Sequence, residues 1–389
     1  MTPRRSGPST RAIHGPGRRK AAREPVATPV FQSSTFLNPV GSSEEVLYTR
    51  YGNNPNQTEL AARLTALEGA EAAIFVASGM GATALAHLAI LAPGDHLISS
   101  AWIYGGTRRL FEHEFARLGI EVSFADPSLP RSWKSALRKT TRAIFLETPT
   151  NPLMRVLDLD PIAALCHTEG IALLVDSTFA SPINFRPLEH GADVVIHSAT
   201  KYLNGHSDVI AGAVAGTEEM IEEIRRLMQI YGQALDPHAA WLVERGLKTL
   251  AVRMARHNAN GAAFAQWASE HPAVRAVHYP GLDDHPDHVL ATAMLDGFGG
   301  MVGLELADGA AAERALRRLR VAQHAPSLGG VETLVSEPRR TSHAALTPAQ
   351  RAAQGIPDGF VRVSLGIEDV DDIIADFTRA LKRGDGRAS

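Results

Sequence analysis

The stretch Asp193–Lys201, DVVIHSATK, decides the fold. Val194, Val195 and Ile196 form an unbroken apolar run, without the polar alternation of a half-exposed strand, so the segment reads as a strand covered on both faces. It ends in small hydroxyl residues and a lysine. A second run of this kind, Ile171–Asp176 (IALLVD), lies just upstream and ends on an acid. Working outward, Ala72–Ala77, His96–Ser99, Ile120–Ala125, Arg142–Glu147 and Ile210–Ala215 read as further strands. Helical patterns separate them: Thr58–Leu67, the Ala/Leu-rich stretch from Ser78-Gly79-Met80-Gly81 to Leu91, Thr107–Leu118 and Pro161–Glu169. Alternation of this kind implies an α/β domain with a mostly parallel sheet.

Beyond Ser207 the pattern changes. Glu218–Ile230 and Pro237–Ser269 are long helical stretches, the second with places to bend at Gly246 and Gly261. Val274–Tyr279, Met301–Leu306, Val331–Val335 and Phe360–Ser364 read as strands, and Arg314–Leu319 and Val370–Leu381 as helices. This is a smaller C-terminal α+β domain. Residues 1–55, rich in Pro, Gly, Ser and Asn, form an arm with little regular structure. The expected domains are therefore 1–55, 56–245 and 246–389, with no internal repeat.

Composition excludes several classes. Among 389 residues, 44% are apolar and 21% charged, with a net charge of -3, which does not suit a basic nucleic-acid binder. The one cysteine, Cys166, rules out an intrachain disulfide or a Cys-rich zinc site and reads as core. No apolar run is long enough for a membrane span. The basic N-terminus (Arg4, Arg5, Arg11, Arg18, Arg19, Lys20) precedes no apolar segment and reads as a solvated arm, not a secretory signal. A cytoplasmic protein is expected.

Lysine forms imines with aldehyde cofactors, and Lys201 stands at the C-terminal edge of a sheet strand, where ligands of α/β folds bind. Taken alone it reads equally well as a solvated lysine. Asp176 changes the balance, because an acid ending a buried strand needs a partner and a protonated pyridine nitrogen is one. Ser198 and Thr200 offer hydroxyls to a phosphate, and Gly79 and Met80 offer backbone N–H groups at a helix start. The last glycine of a dinucleotide fingerprint is replaced by Ala84. Tyr104 suits stacking on a ring, or ordinary core packing. Tyr48 and Arg50 lie two apart on an extended segment and suit phosphate oxygens. His285 and His288 are read as surface loop, and His206 as a buried hydrogen-bonding residue.

At these residues the chain resembles the Cys/Met-metabolism (transsulfuration) family of pyridoxal-phosphate enzymes, from about Pro29 to Leu381. The motifs are SATKYLNGHSD (Ser198–Asp208), ETPTNP (Glu147–Pro152), RGLKTLAVRM (Arg245–Met254), HYPG (His278–Gly281) and SLGGVE (Ser327–Glu332). The resemblance implies fold type I and a homotetramer built from dimers. It implies Lys201 as Schiff-base lysine and proton shuttle, Asp176 at the ring nitrogen and Tyr104 on the ring. Gly79, Met80, Ser198 and Thr200 would bind the phosphate, and Tyr48 and Arg50 the phosphate of the neighbouring subunit. Arg362 and Asn151 would hold the substrate carboxylate, with Glu332 and Arg109 also at the substrate. Ser177, Thr333, Leu47 and the additional residue in Asn53-Asn54-Pro55 depart from the family pattern. Glu332 suits the distal amino group of cystathionine, so γ-elimination of cystathionine is the expected reaction. Replacement at Cγ and elimination at Cβ stay open. An aminotransferase on the same fold and a cofactor-binding protein without chemistry are the readings from other classes.

Overall fold

The computed structural model describes residues 6–16, 23–344 and 346–382. Arg4, Arg5, Arg18, Arg19 and Lys20 of the basic N-terminus lie outside the described residues. The chain divides into two compact units. One comprises Met1–Glu147 with Asp158–Val252, and the other Thr148–Leu157 with Arg253–Ser389. The sequence boundary was drawn at 245/246; the contacts divide at 252/253 and give the segment Thr148–Leu157 to the second unit.

The first unit holds a seven-stranded sheet in the order β1-β7-β6-β5-β4-β2-β3. Its strands are β1 (Ala72–Val76), β2 (His96–Ser100), β3 (Glu121–Ala125), β4 (Thr141–Glu147), β5 (Ala172–Asp176), β6 (Val194–His197) and β7 (Gly212–Gly216). All neighbours are parallel except at β7, which runs antiparallel to both β1 and β6. On one face Phe145, Leu174, Val194, Ile196 and Val214 pack against Leu85 and Phe111, all buried. Truncating a buried phenylalanine such as Phe145 to alanine costs about 3–5 kcal/mol. Buried polar pairs fasten other elements. Glu68 meets His197 at 2.6 Å, and Arg63 meets Glu244 at 3.2 Å.

The arm is more ordered than its composition predicts. Pro8–His14 forms a helix, α1, whose Ala12 is buried. Arg11 donates to the Ala66 carbonyl at 3.0 Å, and Arg63 donates back to the α1 carbonyls of Ala12 and Ile13. Two exchanged arginines thus satisfy carbonyls at both helix ends, a long-range effect that local composition does not reveal. The next helix, α2 (Pro55–Glu68), begins with a capping box between Asn54 and Gln57 and ends at Gly69 in the left-handed region. Asn53 and Asn54 both have work: the Asn53 side-chain oxygen accepts from the Tyr48 N–H at 3.0 Å, while Asn54 caps α2.

The helix expected at Thr107–Leu118 starts at Gly105 and widens into a π turn over Leu110–Phe115. The stretch Pro237–Ser269 is two helices, Pro237–Leu247 and Leu250–Ser269; the break follows Gly246, and Gly261 stays helical.

The second unit carries a five-stranded sheet in the order β10-β11-β12-β9-β8. Its strands are β8 (Ala276–His278), β9 (Met301–Glu305), β10 (Gln323–His324), β11 (Leu334–Ser336) and β12 (Phe360–Ser364). The β10–β11 pair is parallel and the rest antiparallel. Val302, Leu304, Val361 and Val363 pack against Phe264 and Phe377. Among the described residues no helix is long and apolar enough to cross a membrane.

Candidate active site

In the first unit the candidate residues gather where β1, β4, β5 and β6 end. The α3 helix (Gly79–Leu88) follows β1, and the Ser78 hydroxyl accepts from the Gly81 N–H at 3.0 Å to cap it. A side chain at Gly79 would meet Ser198 Cβ at 2.8 Å, and one at Gly212 would meet the Ser78 carbonyl oxygen at 2.0 Å. The backbone at the start of α3 therefore lies directly against the loop after β6, which needs glycine at both places. N–H groups at a helix start beside the Ser198 hydroxyl could hold a phosphate. Thr200 is more committed: its hydroxyl donates to the Ala211 carbonyl at 3.2 Å and accepts from the Ala211 N–H at 3.0 Å. The Lys201 backbone lies in a tight loop, its N–H on the Ser198 carbonyl at 3.1 Å and its carbonyl on the Gly205 N–H at 2.8 Å. His206 is half-buried, not fully buried, with Nδ1 at 2.7 Å from the Asn204 carbonyl.

Asp176 ends β5 beside this loop. Its carboxylate accepts from the Thr178 N–H at 2.9 Å, and the Thr178 hydroxyl accepts from the Ser198 N–H at 2.8 Å. Burial pushes the Asp176 carboxyl above its ordinary value, and the Thr178 hydrogen bonds oppose this. A buried carboxylate in this state is relieved by a cation, and a protonated ring nitrogen is one that fits. Ser177 beside it is fully buried, and among the described residues its hydroxyl has no hydrogen-bond partner.

Tyr104 precedes the short helix α4 (Gly105–Arg109) and is 41% exposed, so its ring is not core packing. A side chain at Gly106 would meet the Tyr104 ring at 2.4 Å and Met80 Sδ at 3.2 Å, which brings Tyr104 and Met80 together. The Tyr104 N–H donates to Glu147 at 2.7 Å. Arg109, at the other end of α4, is exposed. On the arm, Arg50 lies over the Tyr48 ring at 5.5 Å and donates to the Gln229 carbonyl at 2.6 Å.

In the second unit Arg362, buried on β12, donates to the Asn151 side-chain oxygen at 3.0 Å and to the Ser327 carbonyl at 2.9 Å. Ser327 has a φ of 101°, a backbone conformation that a non-glycine residue rarely adopts. His343, also buried, is pushed down to about 4 by burial and by the charges of Arg362 and Arg351. It therefore stands neutral beside Arg362 at pH 7. Glu332 is half-buried, and its neighbour Thr333 is fixed by two hydrogen bonds to Glu368, at 2.6 and 2.8 Å. Arg155 makes a two-bond ion pair with Asp287, at 2.5 and 2.9 Å, within the loop read as plain surface. That reading is corrected for His285, which is buried. The loop folds inward because it clasps Thr148–Leu157.

Sequence reasoning gave no role to Glu147, Thr178, Ser327 or His343. For Glu147 the signal was present, since it ends a buried apolar strand as Asp176 does.

The description "Cys/Met metabolism PLP-dependent enzyme" belongs to a family whose model matches residues 9–382. An L-methionine γ-lyase of Porphyromonas gingivalis is 40% identical over 97% of this chain and 97% of its own length. A cystathionine γ-lyase of Bacillus subtilis is 40% identical over 92% and 94%. The crystal structure of a cystathionine γ-synthase from Xanthomonas oryzae pv. oryzae superposes with a TM-score of 0.93 at 38% identity, covering 97% of this chain and 98% of that one. With its fold, its cofactor and its carbon–sulfur chemistry held in common with these relatives, the chain belongs to the Cys/Met-metabolism family of pyridoxal-phosphate-dependent enzymes.

Proposed function

We propose that this enzyme breaks the Cγ–S bond of a sulfur amino acid by γ-elimination, with L-cystathionine as preferred substrate. The observation that carries the reading is the cradle at Arg362. A guanidinium held by Asn151 and Ser327 is oriented before substrate arrives, and its planar fork suits an α-carboxylate. Pyridoxal phosphate, when bound, draws electrons from the substrate's α-carbon and acidifies its C–H bond.

The protein's residues do the rest. Lys201 Nζ would hold the cofactor covalently, and its amine would take the proton from Cα and pass it on. Asp176 would place a negative charge at the ring nitrogen. Tyr104 would pack on the ring, and Gly79, Met80, Ser198 and Thr200 would hold the phosphate. Tyr48 and Arg50 complete the phosphate site of a second copy, so the working unit is at least a dimer, assembled as a dimer of dimers. Glu332 would meet the second amino group of cystathionine, which an acid suits, and Arg109 would also contact the substrate.

L-Methionine is the second reading, favoured by the γ-lyase of Porphyromonas gingivalis, which matches this chain at the same identity as the cystathionine γ-lyase. One assay separates the two: steady-state rates on L-cystathionine, on L-methionine, and on O-succinyl-homoserine with cysteine. Glu332→Ala is expected to raise KM for cystathionine by roughly 10- to 150-fold, the loss of one charged hydrogen bond, and to spare methionine. Equal effects on both substrates would discard the role of Glu332, and a dominant rate with the homoserine ester would discard elimination.

A further inference from the structure

Glu147 is a buried acid for which the reaction described above has no use. It ends β4 as Asp176 ends β5, and the two are register partners on adjacent parallel strands. Partners in register point to the same face, and neighbouring strands lie about 4.8 Å apart. Two carboxyls therefore share one buried face. One Glu147 oxygen accepts from the Tyr104 N–H at 2.7 Å. The same side chain thus stands next to the acid at the ring nitrogen and carries the backbone of the residue that lies on the ring.

Two carboxyls side by side on one sheet face, Glu147 buried and Asp176 half-buried, disfavour each other's ionisation. Burial and the neighbouring Asp176 charge hold the Glu147 carboxyl well above the usual carboxylate range, against the opposing Tyr104 N–H. His197, one residue beyond Ile196, the register partner of Asp176, pairs with Glu68 at 2.6 Å, and its charge opposes the rise at Asp176. The charge that raises Glu147 is that of Asp176.

We propose that Glu147 is a positioning residue for the cofactor ring: it sets the Tyr104 backbone, and it shares with Asp176 a single negative charge directed at the ring nitrogen. This rests on the assignment of Asp176 and Tyr104 to the ring. The arrangement answers a problem of charge. Two anions against one pyridinium would leave a net buried negative charge, whereas one anion matches it.

The test measures binding by the full-length apoenzyme of pyridoxal phosphate and of its 1-deaza analogue, which lacks the ring nitrogen. The ratio of the two dissociation constants reports the charge at the nitrogen, and a merely structural defect weakens both in parallel. Asp176→Asn should cut the ratio at least tenfold. Glu147→Gln, whose amide oxygen still accepts from Tyr104, should keep the ratio within about twofold. Glu147→Ala should weaken both cofactors tenfold or more and diminish the visible circular dichroism of the bound cofactor. A Glu147→Gln ratio as low as that of Asp176→Asn would overturn the shared charge. Wild-type binding by Glu147→Ala would overturn the positioning role. An unchanged ratio in Asp176→Asn would instead remove Asp176 from the ring nitrogen, and the inference with it. Should Glu147→Ala fail to fold, Glu147→Gln and Asp176→Asn still decide the charge, and Glu147→Asp, with its shorter reach to Tyr104, decides the positioning by the same dichroism.

Discussion

The two units bury polar chemistry in opposite senses. In the first, carboxyls stand at the ends of parallel strands: Glu147 and Asp176 face each other in register, both raised by burial. In the second, bases are buried instead. His257, His285 and His343 are each pushed down to about 4, with burial the largest cause. One unit holds acids that want a cation and offers itself to a cofactor. The other keeps three imidazoles neutral, one of them, His343, beside a fixed guanidinium, Arg362, which wants an anion. The difference teaches that recognition of cofactor and of substrate can rest on separate electrostatic foundations within one chain.

The strongest way to break this division is at Lys201. Lys201→Ala should lower kcat by more than about 10⁴-fold on every substrate, since covalent attachment and proton transfer are lost together. Far-UV circular dichroism should stay that of the wild type. In the wild type, borohydride followed by peptide mapping should find the cofactor on Lys201; a label on another lysine would move the chemistry elsewhere.

Next in size is Arg362→Lys. Charged hydrogen bonds contribute about 1.5–3 kcal/mol each, so kcat/KM should fall roughly 10- to 150-fold per bond lost, on all amino-acid substrates. Cofactor affinity should not change. Loss of cofactor in this variant would show that the two functions are not separate.

Acid sharpens the contrast further. A histidine neutral in the fold and protonated in the unfolded chain loses stability as pH falls from about 6.5 to about 4, by up to about 1.4 kcal/mol per pH unit when fully buried. The second unit has the three histidines named above; the first has His87, also held at about 4 by burial, and His96, which burial lowers. Asp176 and Glu147 run the other way. Their folded forms bind protons more tightly than the unfolded chain does, so they favour the apo fold as pH falls toward the ordinary carboxyl value. Hydrogen exchange of apoprotein between pH 7 and 5, corrected for intrinsic rates, should show β9 and β12 losing protection before β4 and β5. Equal losses would erase the distinction.

The smallest effect separates two hydroxyls in one loop. Thr200 already satisfies Ala211 in both directions. Ser198→Ala should therefore weaken cofactor binding more than Thr200→Val does, with a gap of about 1 kcal/mol, one ordinary hydrogen bond. The dissociation constants of the two variants check this.

Much of this was legible from local pattern. The runs ending at Glu147, Asp176 and His197 are continuous and apolar because strands covered on both faces allow nothing else, and their ends mark where Lys201 and Asp176 stand. What stayed hidden depends on partners far along the chain. Nothing near Asn151 announces Arg362, nor does the Asp283–His288 loop announce Arg155. The π turn at Leu110–Phe115 leaves the apolar spacing of a helix almost unchanged. The order in α1 comes from Arg63, a residue of another helix, so the local Pro and Gly content misleads.

The segment Thr148–Leu157 has a consequence for how the protein is made. It leaves the first unit's sheet after β4, yet its partners come much later: Asp287 lies 132 residues beyond Arg155, and Arg362 lies 211 residues beyond Asn151. At ribosomal speeds of roughly 5–20 residues per second, Asn151 waits about 10–40 s for its arginine to be synthesised. Through that interval β4 and β5 can already pair while Thr148–Leu157, part of the connection between them, has no final home. A nascent chain stalled before β12 would carry Lys201, Asp176 and the Ser198–Thr200 loop, with Asn151 still missing Arg362.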